Sequence, residues 1–178
     1  MIIEKLSEPG FDIEGLSVKD KIELIRESGG FLVDILEGET IDGICRLDWC
    51  TSLTHLPKNL KINGYLDLEG CSSLTHLPNN LDLTGYLYLH ECTSLTHLPE
   101  NLKVGSWADL SDCVSITHLS NNLKVGGILS LEDCTSLTHL PKNLQVGGDL
   151  YLQNCPSLVC VPETVKVGGT IRLPRHLK

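Results

Sequence analysis

The stretch CTSLTHLP occupies residues 50–57 and returns letter for letter at 92–99 and 134–141. Its cysteine belongs to a series with a spacing of 21 residues, which comprises Cys50, Cys71, Cys92, Cys113, Cys134 and Cys155. A fixed short period is typical of one supersecondary unit that stacks on copies of itself, each repeat contacting only its neighbours. The sequence therefore predicts a solenoid.

The sequence predicts one short strand in each repeat. In the segment GGILSLED at 126–133, apolar Leu129 and Leu131 alternate with polar residues, which is the period of a strand. The equivalent pairs are Cys45/Leu47, Leu66/Leu68, Leu87/Leu89, Ala108/Leu110, Leu150/Leu152 and Ile171/Leu173. We expect these segments to stack as parallel strands about 4.8 Å apart. Prolines such as Pro57 and Pro141 exclude regular helix from the arm that returns to the next strand.

The cysteine spacing argues against a disulfide framework. Equivalent residues of stacked repeats point the same way, and a buried free cysteine behaves as a small hydrophobe. We expect a column of structural thiols in a reducing compartment such as the cytoplasm, with bridges or metal ligation as the alternatives. The N-terminus also lacks the basic start and apolar run of a secretory signal.

Composition restricts the class of partner. The chain of 178 residues has a formal net charge of −9, which argues against nucleic acid and against anionic membranes. It contains no run of about 18 apolar residues that would cross a bilayer. Aromatic residues make up only 4 % of the chain, so leucines in register must supply most of the core.

Residues 1–40 depart from the repeat and are interpreted as an N-terminal helical cap on a repeat domain that covers 41–178. Ser17 is a suitable N-cap for a helix over about 18–28, which Gly29 and Gly30 would end. Val18, Ile22 and Ile25 would form its buried face. A monomer is expected. Because no comparable cap is recognisable at the other end, self-association through that edge is the alternative.

The repeat LxLxxCxSLxxLPxxLxVGG, over about 41–173, resembles the cysteine-bearing leucine-rich repeats. It is similar to repeats of plant disease-resistance proteins, and closer to short bacterial LPxxLxVGG repeats, including those of effectors that intracellular pathogens deliver into host cells. The resemblance implies an α/β leucine-rich repeat solenoid shaped as a short curved horseshoe. The parallel sheet would line its concave face, with non-helical extended or 3-10 convex arms. A bacterial effector of this kind would reach a host cell without a classical signal peptide.

The resemblance also implies that side chains flanking the strand leucines face the concave surface. The arms are nearly copied from repeat to repeat, whereas this face differs in each. Exposed tyrosine and tryptophan on a rigid sheet are typical of binding hot spots. We therefore expect a non-enzymatic protein-binding module whose partner has a basic and apolar surface, and no cofactor. The candidate binding residues are Trp49, Tyr65, Asp67, Tyr86, Tyr88, His90, Trp107, Asp109, Asp112, Glu132, Asp149 and Tyr151.

Other readings of the residues remain open. The alternatives are a solvated acidic face, a small carboxylate-based enzyme, a Ca²⁺ site on the same carboxylates, and an adaptor that assembles through the C-terminal edge. A histidine column would stack on the outer arm, because a straight ladder does not converge on a metal; its members are His55, His76, His97, His118 and His139. An asparagine column is expected to cap backbone groups; its members are Asn59, Asn80, Asn101, Asn122 and Asn143.

Overall fold

A computed structural model describes residues 4, 6, 11–79 and 81–178. The helix predicted near the N-terminus is present as α1 (Val18–Glu27), and the Ser17 hydroxyl accepts the Asp20 N–H at 3.2 Å. Its buried residues are Lys21, Leu24 and Ile25. The predicted face is thus shifted, because Val18 and Ile22 are only partly buried against the core. Most of residues 1–10 of the predicted cap lie outside the described residues.

The predicted strands form a seven-stranded parallel sheet. Its order follows the chain, and its strands are β1 (Thr40–Arg46), β2 (Lys61–Asp67), β4 (Leu87–Tyr88), β6 (Ala108–Asp109), β8 (Leu129–Ser130), β10 (Leu150–Tyr151) and β12 (Ile171–Arg172). Each strand pairs with the next at a shift of 21 residues, as Leu87 with Ala108 and Ala108 with Leu129. The chain is therefore a parallel-strand β-solenoid of about six turns.

A second parallel sheet was not predicted. Its five strands are β3 (Asp82–Leu83), β5 (Lys103–Val104), β7 (Lys124–Val125), β9 (Gln145–Val146) and β11 (Lys166–Val167). In β1 and β2 the equivalent residues belong to one continuous seven-residue strand, whereas a bend separates the two sheets in later repeats. The arms were expected to be extended or 3-10; the described arms otherwise contain turns and non-helical backbone, with no 3-10 helix. The 3-10 segments Val33–Leu36 and Arg175–Leu177 lie outside these arms.

The core is a stack of equivalent apolar side chains. The leucines that follow each strand are fully buried, and they are Leu47, Leu68, Leu89, Leu110, Leu131 and Leu152. Leu53 and Leu56 of the returning arm, with their equivalents, fill the other side of the same core. The predicted burial of these positions is confirmed. In the described part of the chain, no helix has the length and apolar character needed to cross a membrane.

The predicted cysteine column is buried and has a further role. Each thiol from the second repeat onward donates a hydrogen bond to the carbonyl of the leucine 24 residues earlier, as Cys113 Sγ to Leu89 O at 3.1 Å. Of the eight cysteines, only Cys160 is exposed. The column therefore joins adjacent repeats by hydrogen bonds as well as by apolar packing.

A left-handed residue precedes each cysteine of the column. The φ angles of Glu91, Asp112 and Asp133 lie between 58° and 60°, and their N–H groups bond the next repeat, as Asp112 N to Glu132 O at 2.9 Å. This turn directs the chain from the strand into the core. It also leaves the turn side chains at one edge of the seven-stranded sheet.

Candidate binding surface

The outward side chains of the seven-stranded sheet form straight rows, because the strands pair in strict register. The first row is apolar over five repeats, and we call it the apolar row; it consists of Ile44, Tyr65, Tyr86, Trp107 and Ile128. Every member is exposed or half-buried, with Ile44 at 54 % and Tyr65 at 38 %. The sheet therefore presents a continuous apolar strip to solvent.

Aromatic rings along this strip contact one another in series. Tyr65 stacks on Tyr86 with ring centroids 4.8 Å apart, and Tyr86 stacks on Tyr88 at 5.9 Å. Tyr88 then meets Trp107 edge to face at 5.9 Å. Such contacts hold large side chains in place before any partner arrives, which lowers the entropy lost on binding. Four of the predicted binding residues are thereby brought together.

The second row occupies the middle of the sheet and mixes charge with aromatic character. We call it the central row; it consists of Arg46, Asp67, Tyr88, Asp109 and Ser130. Burial chiefly raises the pKa of the Asp67 carboxyl, although Arg46 Nε lies 3.5 Å from its Oδ2. Asp109 Oδ1 accepts hydrogen bonds from its own strand, from Ser111 N at 3.0 Å and Ser111 Oγ at 2.7 Å. These two carboxylates are fixed in position.

Carboxylates concentrate along the edge where the strands turn into the core. We call this the acidic edge; it consists of Asp48, Glu69, Glu91, Asp112, Glu132 and Asp133. Within the described residues, the carboxylates of Glu132 and Asp133 form no hydrogen bond or ion pair. Like charges on neighbouring strands repel, so this edge is stabilised by any cation that binds there.

His90 is a basic side chain that lies beside two carboxylates of the acidic edge. Its Nε2 lies 3.5 Å from Glu91 Oε1, and its Nδ1 lies 3.7 Å from Asp112 Oδ2. Arg26 of α1 pairs with Asp48 at the first repeat. Within the described residues, these contacts leave Glu69, Glu132 and Asp133 without a basic side chain beside them.

The sixth repeat has a different character. Asp149 Oδ1 accepts hydrogen bonds from Thr170 N at 2.7 Å and Thr170 Oγ1 at 2.8 Å, and these bonds lower its pKa. Tyr151 donates to Asp149 Oδ2 at 3.2 Å and lies 4.9 Å from the Arg172 guanidinium. The predicted binding residues Asp149 and Tyr151 are thus engaged in a local network apart from the aromatic series.

Trp49 also stands apart from the stacked rings. It has a left-handed φ of 58° and is 56 % exposed. Its indole covers Gly70, where an added Cβ would come within 2.5 Å of the ring. Trp49 therefore occupies the acidic edge of the first repeat rather than the apolar row.

The histidine column lies on the outer arm, as predicted. The hydroxyl oxygens of Thr75, Thr96 and Thr138 each lie within hydrogen-bond distance of two groups, the carbonyl of the threonine one repeat earlier and Nδ1 of the following histidine. In the described part of the chain, no group of three or more His, Cys, Asp or Glu side chains is arranged to hold a metal ion.

The asparagine column differs from its prediction. Asn122 Nδ2 donates to Asn101 Oδ1 at 3.0 Å, and Asn143 Nδ2 donates to Asn122 Oδ1 at 3.2 Å. These three amides thus bond one another, not the backbone, because the shift of 21 residues places them in contact, whereas Asn59 Nδ2 donates to Glu37 Oε1 at 2.5 Å. Asn80 lies outside the described residues.

Sequence reasoning missed the separation of the sheet into apolar and acidic strips. Ile44 and Ile128 extend the apolar row beyond the aromatic residues, and neither was among the predicted binding residues. The signal was in the repeat alignment, where one position is apolar in five successive repeats and then becomes Asp149.

Comparison of the chain with protein-family models, with curated proteins and with solved structures yields no significant match.

Proposed function

We propose that this protein is a non-enzymatic recognition module that binds a partner protein on the outward face of its seven-stranded sheet. The observation that supports the proposal is the partly exposed ring series Tyr65–Tyr86–Tyr88–Trp107 beside a row of carboxylates. Rigid aromatic side chains bind with little loss of entropy. The carboxylates select a basic partner and accelerate its encounter.

The proposed shape is that of a leucine-rich repeat with this sheet on its inner, concave surface. A horseshoe bends because its arms are spaced more widely than its strands. Here the second sheet and a ladder of arm hydrogen bonds, such as Thr138 N to Thr117 O at 3.0 Å, hold the arms at strand-like spacing. The proposed horseshoe is therefore shallow.

The proposed N-terminal cap rests on packing at the first repeat. Ile25 of α1, with Val33 and Leu36, joins the core that continues into β1. A solenoid end needs such cover because the outermost repeat has a neighbour on one side only. In this proposal α1 and the segment that follows it shield β1.

The cellular setting is proposed from chemistry and resemblance. Seven buried thiols suit a reducing compartment, because oxidation would disturb a core in which each thiol is packed. Similarity to bacterial effector repeats supports a role inside a host cell.

Capture from cell lysates with matched baits tests the recognition role. We expect wild-type protein and the Phe31→Ala variant to retain the same partner, because Phe31 is an aromatic residue that is 79 % exposed away from the sheet. The Trp107→Ala and Tyr88→Ala variants should each weaken retention, by at least about 2 kcal/mol in affinity if these residues are hot spots. Equal retention by all four baits would show that this face is not the binding surface.

A further inference from the structure

The apolar row and the acidic edge run side by side over the same five repeats and stop together. The apolar row ends at Ile128 and the acidic edge ends at Asp133. In the sixth repeat Asp149 replaces the apolar residue and is bonded to Thr170, while the edge positions are the neutral Gln153 and Asn154. The shared boundary defines one footprint with two parallel strips.

From this footprint we infer that the ligand is a basic amphipathic α-helix that lies across the strands. The inference rests on the proposed recognition function and specifies the form of the partner. One flank of the helix, lined with apolar side chains, would contact the apolar row. An adjacent flank, lined with lysine or arginine, would face the acidic edge.

Charge complementarity supports a basic partner. The central row and the acidic edge carry eight carboxylates, namely Asp48, Asp67, Glu69, Glu91, Asp109, Asp112, Glu132 and Asp133, against Arg46, His90 and the Arg26 side chain that pairs with Asp48. Glu132 and Asp133 lack a cationic partner within the described residues. A row of cations along this edge would remove the repulsion between neighbouring carboxylates.

The repeat spacing favours a helix over an extended chain. Successive members of the apolar row are about 4.8 Å apart, the distance between paired strands. One helical turn advances about 5.4 Å, whereas side chains on one face of an extended strand recur about every 6.6 Å. The helix is the closer match, and its side chains would meet successive repeats over the whole footprint.

The dimensions of the face agree with this ligand. Ile44 and Ile128 are four repeats apart, which gives a length of about 19 Å and accommodates about 13 helical residues. Ile44 lies in β1, and Asp48 follows two residues after the end of that strand, so the two strips are at most about 13 Å apart. A helix of about 10–12 Å diameter fits above the central row and reaches both strips.

Two designed peptides of identical composition provide the probe. The first, of about 14 residues, contains leucine, lysine and alanine, with leucines at helical spacing on one flank and lysines on the next. The second alternates leucine and lysine, which favours a strand. Fluorescence anisotropy measures binding of each labelled peptide, and circular dichroism establishes its helix content. We expect the helical isomer to bind at least about tenfold more tightly.

Variants then locate the peptide on the footprint. Trp107→Ala, and Ile44→Asp as a second apolar-row change at an exposed residue, should each weaken binding of the helical isomer at least about tenfold. The double change Glu132→Gln and Asp133→Asn should weaken binding and reduce its dependence on salt between about 0.05 M and about 0.5 M. Phe31→Ala is the matched control and should leave the affinity unchanged.

The outcomes separate this inference from the recognition proposal. Equal or tighter binding of the alternating isomer, or binding unaffected by both apolar-row variants, would overturn the helix inference. Failure of both peptides to bind would also overturn it, while lysate capture that still depends on Trp107 would leave the recognition proposal standing. If neither peptide binds and capture from lysate is also unaffected by Trp107→Ala, both the helix inference and the recognition proposal are wrong.

Discussion

At the scale of single residues, the buried cysteines determine how the repeats are joined. Each column thiol from Cys71 onward is both a small apolar group and a hydrogen-bond donor to the previous turn, as Cys134 Sγ is to Leu110 O at 3.1 Å. Burial raises the pKa of Cys92 to about 12 and that of Cys50 to about 11. The column is therefore neutral and unreactive in the folded protein.

The same burial predicts loss of stability at alkaline pH. In the unfolded chain these thiols ionise near their ordinary pKa of about 9, whereas Cys45 in the fold holds its proton up to about pH 12. Above pH 9 the folded state thus binds more protons, and stability falls as the pH rises further. Each such thiol contributes a loss of about 1.4 kcal/mol per pH unit above its unfolded pKa. Urea unfolding between about pH 7 and pH 10 measures this.

A cysteine variant controls for other alkaline titrations. Cys113→Ala should lower the free energy of unfolding at neutral pH. Above about pH 9, the variant should lose about 1.4 kcal/mol less per pH unit than the wild type, because it has one buried thiol fewer. The pKa of Cys113 lies well above its ordinary value because the side chain is buried. Wild-type stability that stays constant to about pH 10 would contradict the account of the thiol column.

The sequence predicted the burial of the cysteines but not their bonding. Burial follows from position in the repeat, because residues spaced by 21 must share one environment. The acceptor of Cys113 is a carbonyl 24 residues earlier, and it is reached only because the left-handed Asp112 turns the chain inward. A sequence pattern specifies the column, whereas the bond depends on the dihedral angles of the turn.

At the scale of elements, the strands of the seven-stranded sheet were predictable and the second sheet was not. Leu129 and Leu131 give a readable alternation of apolar and polar residues, with equivalents in every repeat. The strands of the second sheet are two residues long, as in Lys124–Val125, which is too short for a period to be recognised. Their pairing arises because the first sheet already fixes the stacking of each turn.

The junction between the two sheets yields a prediction about glycine. A Cβ added to Gly126 would lie 2.1 Å from Gly105 O of the preceding repeat, a contact that only backbone movement relieves. At the adjacent Gly127 the nearest atom would be 3.0 Å away, and the equivalent position already holds Ser106. Gly126→Ala should therefore lower the free energy of unfolding by about 2 kcal/mol or more, measured by urea unfolding.

Gly127→Ser is the matched control for this change. It reproduces a residue that the chain already tolerates one repeat earlier, so its effect should be much smaller than that of Gly126→Ala. Equal destabilisation by the two variants would show that the backbones do not approach closely at Gly126.

At the scale of the whole molecule, stacking places residues that are distant in sequence on one wall. Tyr65 and Trp107 are 42 residues apart in the chain, yet Tyr86 and Tyr88 join them by ring contacts. The period of 21 residues was sufficient to predict this convergence. It was insufficient to predict the local network of Asp149 and Tyr151, because that network includes Thr170, which precedes β12, and Arg172 in β12.

Site-specific photo-crosslinking tests most directly whether this wall is the recognition surface. His90 lies on the sheet face, and His97 is exposed on the outer arm of the same repeat, so the two histidines form a matched pair. Each is replaced in turn by p-benzoyl-phenylalanine, and the protein is irradiated in lysate that contains the captured partner. We predict a covalent adduct from position 90 and none from position 97. An adduct from position 97 with none from position 90 would contradict the account.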